Sequence, residues 1–153
     1  MNKYILLYIL VFTVSTSFSQ KQIPNFSEKG LMGSVSAAQI ADSDYKLLVY
    51  GAVNCSYSKY LIENLNAFDD CDALEIVILL NDSKNKIESE YPELIKKYRV
   101  YSNDILQYQL DKKNDLFPQT FLFKENEQLL SVKGIKKNMF VKINNEVQCK
   151  SAK

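Results

Sequence analysis

Cysteine is the residue type in this chain with the most reactive side chain, and the sequence contains three of them, Cys55, Cys71 and Cys149. A thiolate is a nucleophile that attacks disulfides and binds soft metal ions. The chain has no histidine, which excludes Ser-His-Asp and Cys-His nucleophile activation and every zinc site that uses an imidazole. An odd number of cysteines leaves at least one without a partner in the chain. The sequence therefore points to thiol chemistry that operates without an imidazole base.

The composition is that of one folded domain. The 153 residues carry 19 Lys and Arg against 18 Asp and Glu, and 46% of them are hydrophobic. This length supports one compact core, and the balance of charge and apolar residues excludes a disordered tail or a basic nucleic-acid binder. We expect no nucleic-acid partner.

Residues 1–19 have the pattern of a secretory signal peptide. Lys3 precedes an apolar run from Tyr4 to Val14, and small residues stand at the cleavage positions before Gln20. The run is too short to span a bilayer stably, although an uncleaved anchor is the alternative reading. We therefore expect a mature protein with no membrane span, in the periplasm or secreted, where disulfides persist.

Residues 20–44 form a polar lead-in, in which we expect a short helix near 36–40. The elements that must position the cysteines begin after it. Residues 46–51 form an apolar run that ends at Gly51 and is typical of a strand buried on both faces. Apolar residues at helical spacing predict a helix over 56–68, and 73–80 returns to a buried strand. Strand, helix and strand in this order predict a parallel crossover unit.

The second half of the chain predicts a helix with Ser89 as N-cap, Pro92 in its first turn and an end near Tyr98. The elements that follow are a short strand (99–102), a short helix to 110, a polar loop (111–115), an antiparallel hairpin (117–123 and 128–133, linked by 124–127) and a final helix (139–147). We interpret the lysines at 136, 137 and 142 as a solvated face of this last helix rather than a partner surface.

Two local motifs carry a resemblance to a known family. Cys55 stands in Asn54-Cys55-Ser56-Tyr57-Ser58-Lys59 at the head of a helix, and a later strand opens with Phe117-Pro118-Gln119-Thr120. Over residues 45–147 this order resembles the thioredoxin-like superfamily, and the extra elements at 99–110 resemble exported thiol-disulfide oxidoreductases of the TlpA and ResA type.

The resemblance implies an α/β fold, a central mixed sheet flanked by helices, with a small strand-helix insertion before the strand that opens at a cis-proline. It assigns residues 45–153 to this domain and implies no cofactor and no metal. It implies that Cys55 and Ser58 are the catalytic positions, and that a client lies against Asn54, Ser56, Tyr57, Phe117, Pro118 and Thr120. A helix N-terminus also stabilises a thiolate electrostatically.

The departures from the family pattern change the expected chemistry. Ser58 replaces the second cysteine, so a mixed disulfide at Cys55 has no neighbouring thiol to resolve it. Asn54 stands where many relatives have an aromatic residue, and Val49 replaces a buried acid. An exposed Lys59 adds little to thiolate stability. A dithiol cycle within this motif is therefore excluded.

The other two cysteines have a structural interpretation. If 56–68 is one helix, Cys71 lies about 20 Å from Cys55, far beyond the roughly 7 Å that a disulfide allows between Cα atoms. In the family topology the last helix returns toward the lower end of the first one. The resemblance thus makes Cys71 and Cys149 a candidate structural disulfide and leaves Cys55 as the free thiol.

The leading functional hypothesis is an exported monothiol protein that exchanges disulfides with a cysteine-containing client protein or peptide. A second thiol, from the client or from a membrane-bound or periplasmic thiol donor, would release the mixed disulfide. The alternative is a redox-inactive module that holds a peptide at the Phe117-Pro118 loop. A peroxidase is disfavoured because Leu48 and Ala52 stand where peroxiredoxins have a proline and a threonine. Copper delivery is disfavoured because Lys59 stands where a second cysteine ligand would be needed and the chain has no histidine.

Overall fold

The computed structural model of the chain describes residues 31–32, 43–102, 117–125 and 127–149. The expected signal peptide (1–19), the helix expected near 36–40 and the helix and loop expected between 103 and 115 lie outside the described residues. None of the helices in the described ranges has the length and apolar character needed to cross a membrane.

The architecture is a six-stranded mixed sheet with strand order β1-β4-β3-β2-β5-β6. The central strand β2 is parallel to β3 and antiparallel to β5, and β3 is parallel to β4. The two edge strands, β1 and β6, are antiparallel to their neighbours. The strands are β1 (Leu31–Met32), β2 (Tyr45–Gly51), β3 (Leu74–Leu80), β4 (Arg99–Ser102), β5 (Gln119–Lys124) and β6 (Glu127–Lys133). The predicted mixed α/β sheet is confirmed.

The helices pack on one face of this sheet. They are α1 (Ser56–Glu63), α2 (Lys84–Glu90), α3 (Leu94–Lys97) and α4 (Met139–Val147), with a 3₁₀ helix (Leu65–Phe68) after α1. Leu61, Ile87 and Ile143 from these helices join the apolar residues of β2 and β3 in one core. The opposite face is buried as well, in a second cluster that includes Leu48, Tyr50, Val77, Leu79, Tyr101, Phe121 and Phe123. Burial on both faces explains why all seven residues of β3 are buried. It also explains why the strand has a nearly continuous apolar sequence and not an alternation of apolar and polar residues.

The first helix is shorter than the predicted 56–68. It ends at Glu63, because the Asn64 side chain donates a hydrogen bond to the Tyr60 carbonyl at 2.7 Å and occupies an acceptor near the helix end. The chain then tightens into the 3₁₀ helix.

The prediction for the second helix is wrong in its start, because the structure has two helices, α2 and α3, and Ser89 lies inside the first of them. Helix α2 begins at Lys84, and Asp82, which accepts hydrogen bonds from Ser83 N–H and Lys86 Nζ, organises its entry. Pro92 lies between α2 and α3, and the Tyr91 carbonyl before it accepts the N–H groups of Leu94 and Ile95 at 3.1 and 3.3 Å, so the proline does stand in the first turn that leads into α3. A residue before proline is disfavoured in the helical region, and Tyr91 accordingly has φ −132° and ψ 51°.

Two strand features also differ from the sequence pattern. β1 lies within the segment predicted as a lead-in and pairs Met32 with Val100 of β4. Its two residues are too few for a periodic signal. The hairpin is tighter than predicted, since β5 extends to Lys124 and β6 begins at Glu127.

Cys71 and Cys149 are joined by a disulfide with a Cα–Cα distance of 5.0 Å. Cys71 follows the 3₁₀ helix, and Cys149 follows Gln148, whose φ of 56° turns the chain at the end of α4. The bridge links the far ends of the α1 segment and α4, across a sequence separation of 78 residues.

Removing this disulfide should lower the free energy of unfolding. For a closed loop with a sequence separation of 78 residues, the lost constraint on the unfolded chain corresponds to about 4.5 kcal/mol. Urea unfolding of a Cys71→Ser, Cys149→Ser double variant should show that decrease, whereas Cys55→Ser, the matched control, should unfold as the wild type does. Equal stabilities of the double variant and the control would contradict the structural role of the bridge.

Candidate active site

Cys55 stands at the point where the central strand passes into the first helix. β2 ends at Gly51, and Cys55 is the N-cap residue of α1 with φ −95° and ψ 115°. The first hydrogen bond of the helix runs from Lys59 N–H to the Cys55 carbonyl at 2.9 Å. The amides of the first turn precede this ladder and point toward the N-terminal end. The thiol therefore lies beside backbone donors.

The pKa of the Cys55 thiol is lowered from its ordinary value. Burial of the sulfur by itself raises this pKa, and it is the largest single influence. Hydrogen bonding by the Ser58 side chain and by the backbone of Ser58 and Tyr57 acts in the opposite direction. Together, the hydrogen bonds lower the pKa by more than burial raises it, so the site favours the nucleophilic thiolate.

Ser58 is fixed in place by its own contacts. Its side chain has no exposed surface, and its Oγ accepts the Ala52 N–H at 3.1 Å. Because that oxygen acts as the acceptor for Ala52, its hydroxyl hydrogen is available to the thiolate. A Cβ atom at Gly51 would lie only 3.0 Å from Ser58 Oγ, so the glycine makes room for the serine.

The Phe117–Pro118 segment forms the second wall of the site. The peptide bond between them is cis, and the Cys55 Sγ lies 3.9 Å from the Phe117 carbonyl oxygen. The Phe117 ring packs edge-on against Tyr50, with ring centroids 5.1 Å apart. The structure thus brings together two motifs separated by 62 residues in the chain.

The remaining predicted site residues divide into exposed and buried groups. Asn54, Ser56 and Tyr57 are exposed around Cys55, with Tyr57 64% exposed. Pro118 is buried, and Thr120 has no exposed surface. The Thr120 side chain therefore cannot touch a molecule bound on the protein surface, which leaves it a strand residue in the core.

Two tyrosines beside the site were not singled out from the sequence. Tyr60 is 52% exposed and lies one helical turn after Tyr57, a spacing that could have identified it. Tyr91 directly follows α2. Burial raises the pKa of its phenol, and the nearby charges of Glu63, Glu90 and Cys55 raise it further. Tyr91 and two acids thus lie within electrostatic reach on the α1–α2 side of the site.

Comparison with solved structures identifies the fold. No protein-family model matches the chain, and no curated protein matches its sequence. A thioredoxin-like protein solved in its oxidized form superposes with a TM-score of 0.64 at 18% identity, over 84% of this chain and 95% of that one. A Chlorobium tepidum protein assigned as the thiol:disulfide interchange protein DsbE gives 0.61 at 12% identity, over 84% and 94%. A secreted disulfide oxidoreductase of Mycobacterium tuberculosis gives 0.54 at 11% identity, over 69% and 81%.

The chain therefore has the thioredoxin-like fold, which confirms the fold predicted from the two motifs. Structural neighbours include proteins that exchange thiols and disulfides. Among the residues that the structure describes, no group of three or more Cys, Asp or Glu side chains could hold a metal ion.

A Ser58→Ala substitution should raise the pKa of Cys55, because it removes a hydrogen bond that lowers this pKa. The rate of alkylation by iodoacetamide as a function of pH measures the effect, and its midpoint should move to higher pH. Ser56→Ala, an exposed serine in the same helical turn, is the matched control and should leave the profile unchanged. A Ser58→Ala profile that coincides with the wild type would contradict the role given to the hydroxyl.

Proposed function

We propose that this chain is an exported monothiol protein that exchanges disulfides with cysteine-containing client proteins or peptides through Cys55. The observation that carries the proposal is which cysteines are bonded to each other and which one is free. Cys55 is the free one, it stands at a helix N-terminus with a lowered pKa, and Cys71 and Cys149 are joined to each other. Structural neighbours that exchange thiols and disulfides add support.

The reaction is a single thiol-disulfide exchange. The Cys55 thiolate attacks one sulfur of a client disulfide, forms a Cys55–client disulfide and expels the other client sulfur as a thiolate. The expelled client sulfur becomes a thiolate as the Cys55 sulfur enters the new disulfide, so the number of disulfide bonds is unchanged, and the client disulfide is fully reduced only when a second thiol breaks the mixed disulfide. When the expelled thiolate attacks a different client disulfide, and the client thiolate freed in that step attacks the mixed disulfide and expels Cys55, the net result is isomerisation.

A second cysteine at position 58 would both stabilise the Cys55 thiolate and resolve the mixed disulfide, whereas Ser58 can do only the first. Its hydroxyl hydrogen-bonds toward the thiolate, but oxygen cannot attack the mixed disulfide under these conditions. The mixed disulfide therefore persists until a thiol arrives from outside the motif. That thiol comes from the client's own second cysteine or from a thiol donor in the same compartment, and no cofactor takes part.

The client would lie across the surface between the α1 N-terminus and the Phe117-Pro118 loop. The exposed Tyr57 and Tyr60 rings offer apolar area with a polar tip, which suits a polypeptide that is released again. The half-exposed Phe117 lies on the other side of the thiol. Asn54 and Ser56 add exposed polar groups at the same end.

Wild-type protein mixed with a disulfide-bonded peptide should accumulate a covalent adduct on Cys55, detected by intact mass and peptide mapping. A Cys55→Ser variant should form no adduct. In a Ser58→Cys variant the adduct should be transient, because the introduced thiolate attacks Cys55 and frees the client thiol. Accumulation should fall at least tenfold relative to the wild type.

Two results would count against this function. One is a folded wild-type protein that forms no adduct, and the other is an adduct that forms equally well in Cys55→Ser. Peptide binding that survives Cys55→Ser without any adduct would favour the redox-inactive binding module instead.

Export is supported by the signal-peptide pattern of residues 1–19 and by a disulfide that needs an oxidising compartment. Expression of the full chain in a bacterial host should yield a protein in the periplasm or medium that begins at Gln20, as read by N-terminal sequencing. Replacing Leu6 and Leu7 by Arg should block this cleavage, because the apolar core of the signal is broken. Mature protein that retains Met1 would contradict the prediction.

A further inference from the structure

A cavity of about 480 Å³ opens between the edge strand β6 and helix α4. Leu130, Val132 and Met139 supply its apolar lining, and four lysines, at 133, 136, 137 and 142, supply its charge. No carboxylate of the described residues lines it. We call this cavity the β6–α4 groove.

Three of these lysines are exposed and have no ion-pair partner in the part of the chain that the structure describes. Lys136, Lys137 and Lys142 are exposed, and none of the salt bridges among the described residues includes them. A solvated helix face, as the sequence pattern suggested, would distribute such charges over a convex surface. Here they converge on one cavity with an apolar lining, which is the form of a binding site for a group that is anionic at one end.

The β6–α4 groove adjoins the reactive site through the hairpin. Gly134, which follows β6, donates its N–H to the Pro118 carbonyl at 2.7 Å. Pro118 follows Phe117, whose carbonyl lies 3.9 Å from the Cys55 Sγ. Lys136 is two residues beyond Gly134, so about four extended residues of a client, at roughly 3.3 Å each, reach from the thiol to the groove.

Two acids lie on the α1–α2 side of Cys55, and one of them, Glu63, is paired with Lys59. Glu63 and Glu90 lie near Tyr91 on the α1–α2 side, and their charges reach its phenol. The concentration of positive charge is therefore on the groove side, which attracts a client segment with negative charge. Complementary charge of this kind fixes the orientation of a bound chain and raises its association rate.

We propose that the β6–α4 groove binds an acidic segment of the client polypeptide, a few residues from the cysteine that reacts with Cys55. This proposal rests on the proposed function, since the segment matters only if a client reacts at that thiol. Aspartate and glutamate side chains of the client pair with Lys136, Lys137 and Lys142, and an apolar client residue lies against Leu130, which is only partly buried. The acidic segment thus selects which disulfide is attacked and from which side.

The test compares two synthetic peptides whose single cysteine is activated as a 2-pyridyl disulfide. One carries three glutamates about four residues from the cysteine, and the other carries glutamines at the same positions. Cys55 attacks the peptide sulfur, forms the mixed disulfide and expels pyridine-2-thiolate, whose absorbance as thiopyridone gives the rate. Wild-type protein should react about three- to tenfold faster with the acidic peptide, and salt at 1 M, where the Debye length is about 3 Å, should abolish the difference.

The deciding variant carries Lys136→Gln, Lys137→Gln and Lys142→Gln. It should lose the preference for the acidic peptide but react with the glutamine peptide as the wild type does. A matched control with Lys84→Gln, Lys96→Gln and Lys124→Gln has the same net charge and should keep the preference. A Lys136→Glu, Lys137→Glu variant should prefer a peptide with lysines in place of the glutamates.

Three results would overturn the proposal while leaving the proposed function intact. They are equal rates for both peptides with wild-type protein, a preference that survives in the deciding variant, and lysine-dependent sedimentation with phosphatidylglycerol vesicles in the absence of any peptide preference. Failure of Cys55 to react with either peptide would instead remove the proposed function, and the groove's role with it.

Discussion

The antiparallel register between β2 and β5 positions everything around the thiol. Tyr50 pairs with Gln119, so the residues that follow β2 lie beside the residues that precede β5. Cys55 comes shortly after β2 along the chain, and Phe117 and Pro118 stand immediately before β5. A slip of one residue would reverse the faces of β5 and turn Phe121 toward the helix side of the sheet. The two apolar clusters therefore fix the register of β5, and with it the positions of the residues around the thiol.

The chemistry at Cys55 is decided by a competition between burial and hydrogen bonds. Burial disfavours the thiolate, and the Ser58 hydroxyl with the first amides of α1 overcomes it. The serine can do this because Gly51 leaves space beside it and Ala52 holds its oxygen. Ser58 keeps the hydrogen bond that stabilises the Cys55 thiolate but has no sulfur to break a mixed disulfide. Such a site is suited to holding a client covalently.

Apolar runs and helical spacing were enough to predict β2, β3, the hairpin strands and α4, since β2, β3 and β5 bury nearly continuous runs and α4 buries residues at helical spacing. The resemblance in two short motifs was enough to predict the fold and to name Cys55 with the Phe117-Pro118 loop. The remaining features depend on tertiary or single-residue effects. Asn64 ends α1 through one side-chain bond, Asp82 organises the entry of α2 ahead of the predicted start, and the β6–α4 groove exists only because a hairpin and a helix meet.

The placement of the Cys71–Cys149 bridge protects the protein from its own reactive group. An eight-residue α-helix and a four-residue 3₁₀ helix separate Cys55 from Cys71, a rise of about 20 Å. Sulfur atoms must come into contact for exchange, so Cys55 cannot attack this disulfide within a folded molecule. Cys71 is also only 6% exposed, which shields one sulfur from a second copy of the chain. The protein can therefore keep a nucleophilic thiol and a stabilising disulfide together without internal scrambling.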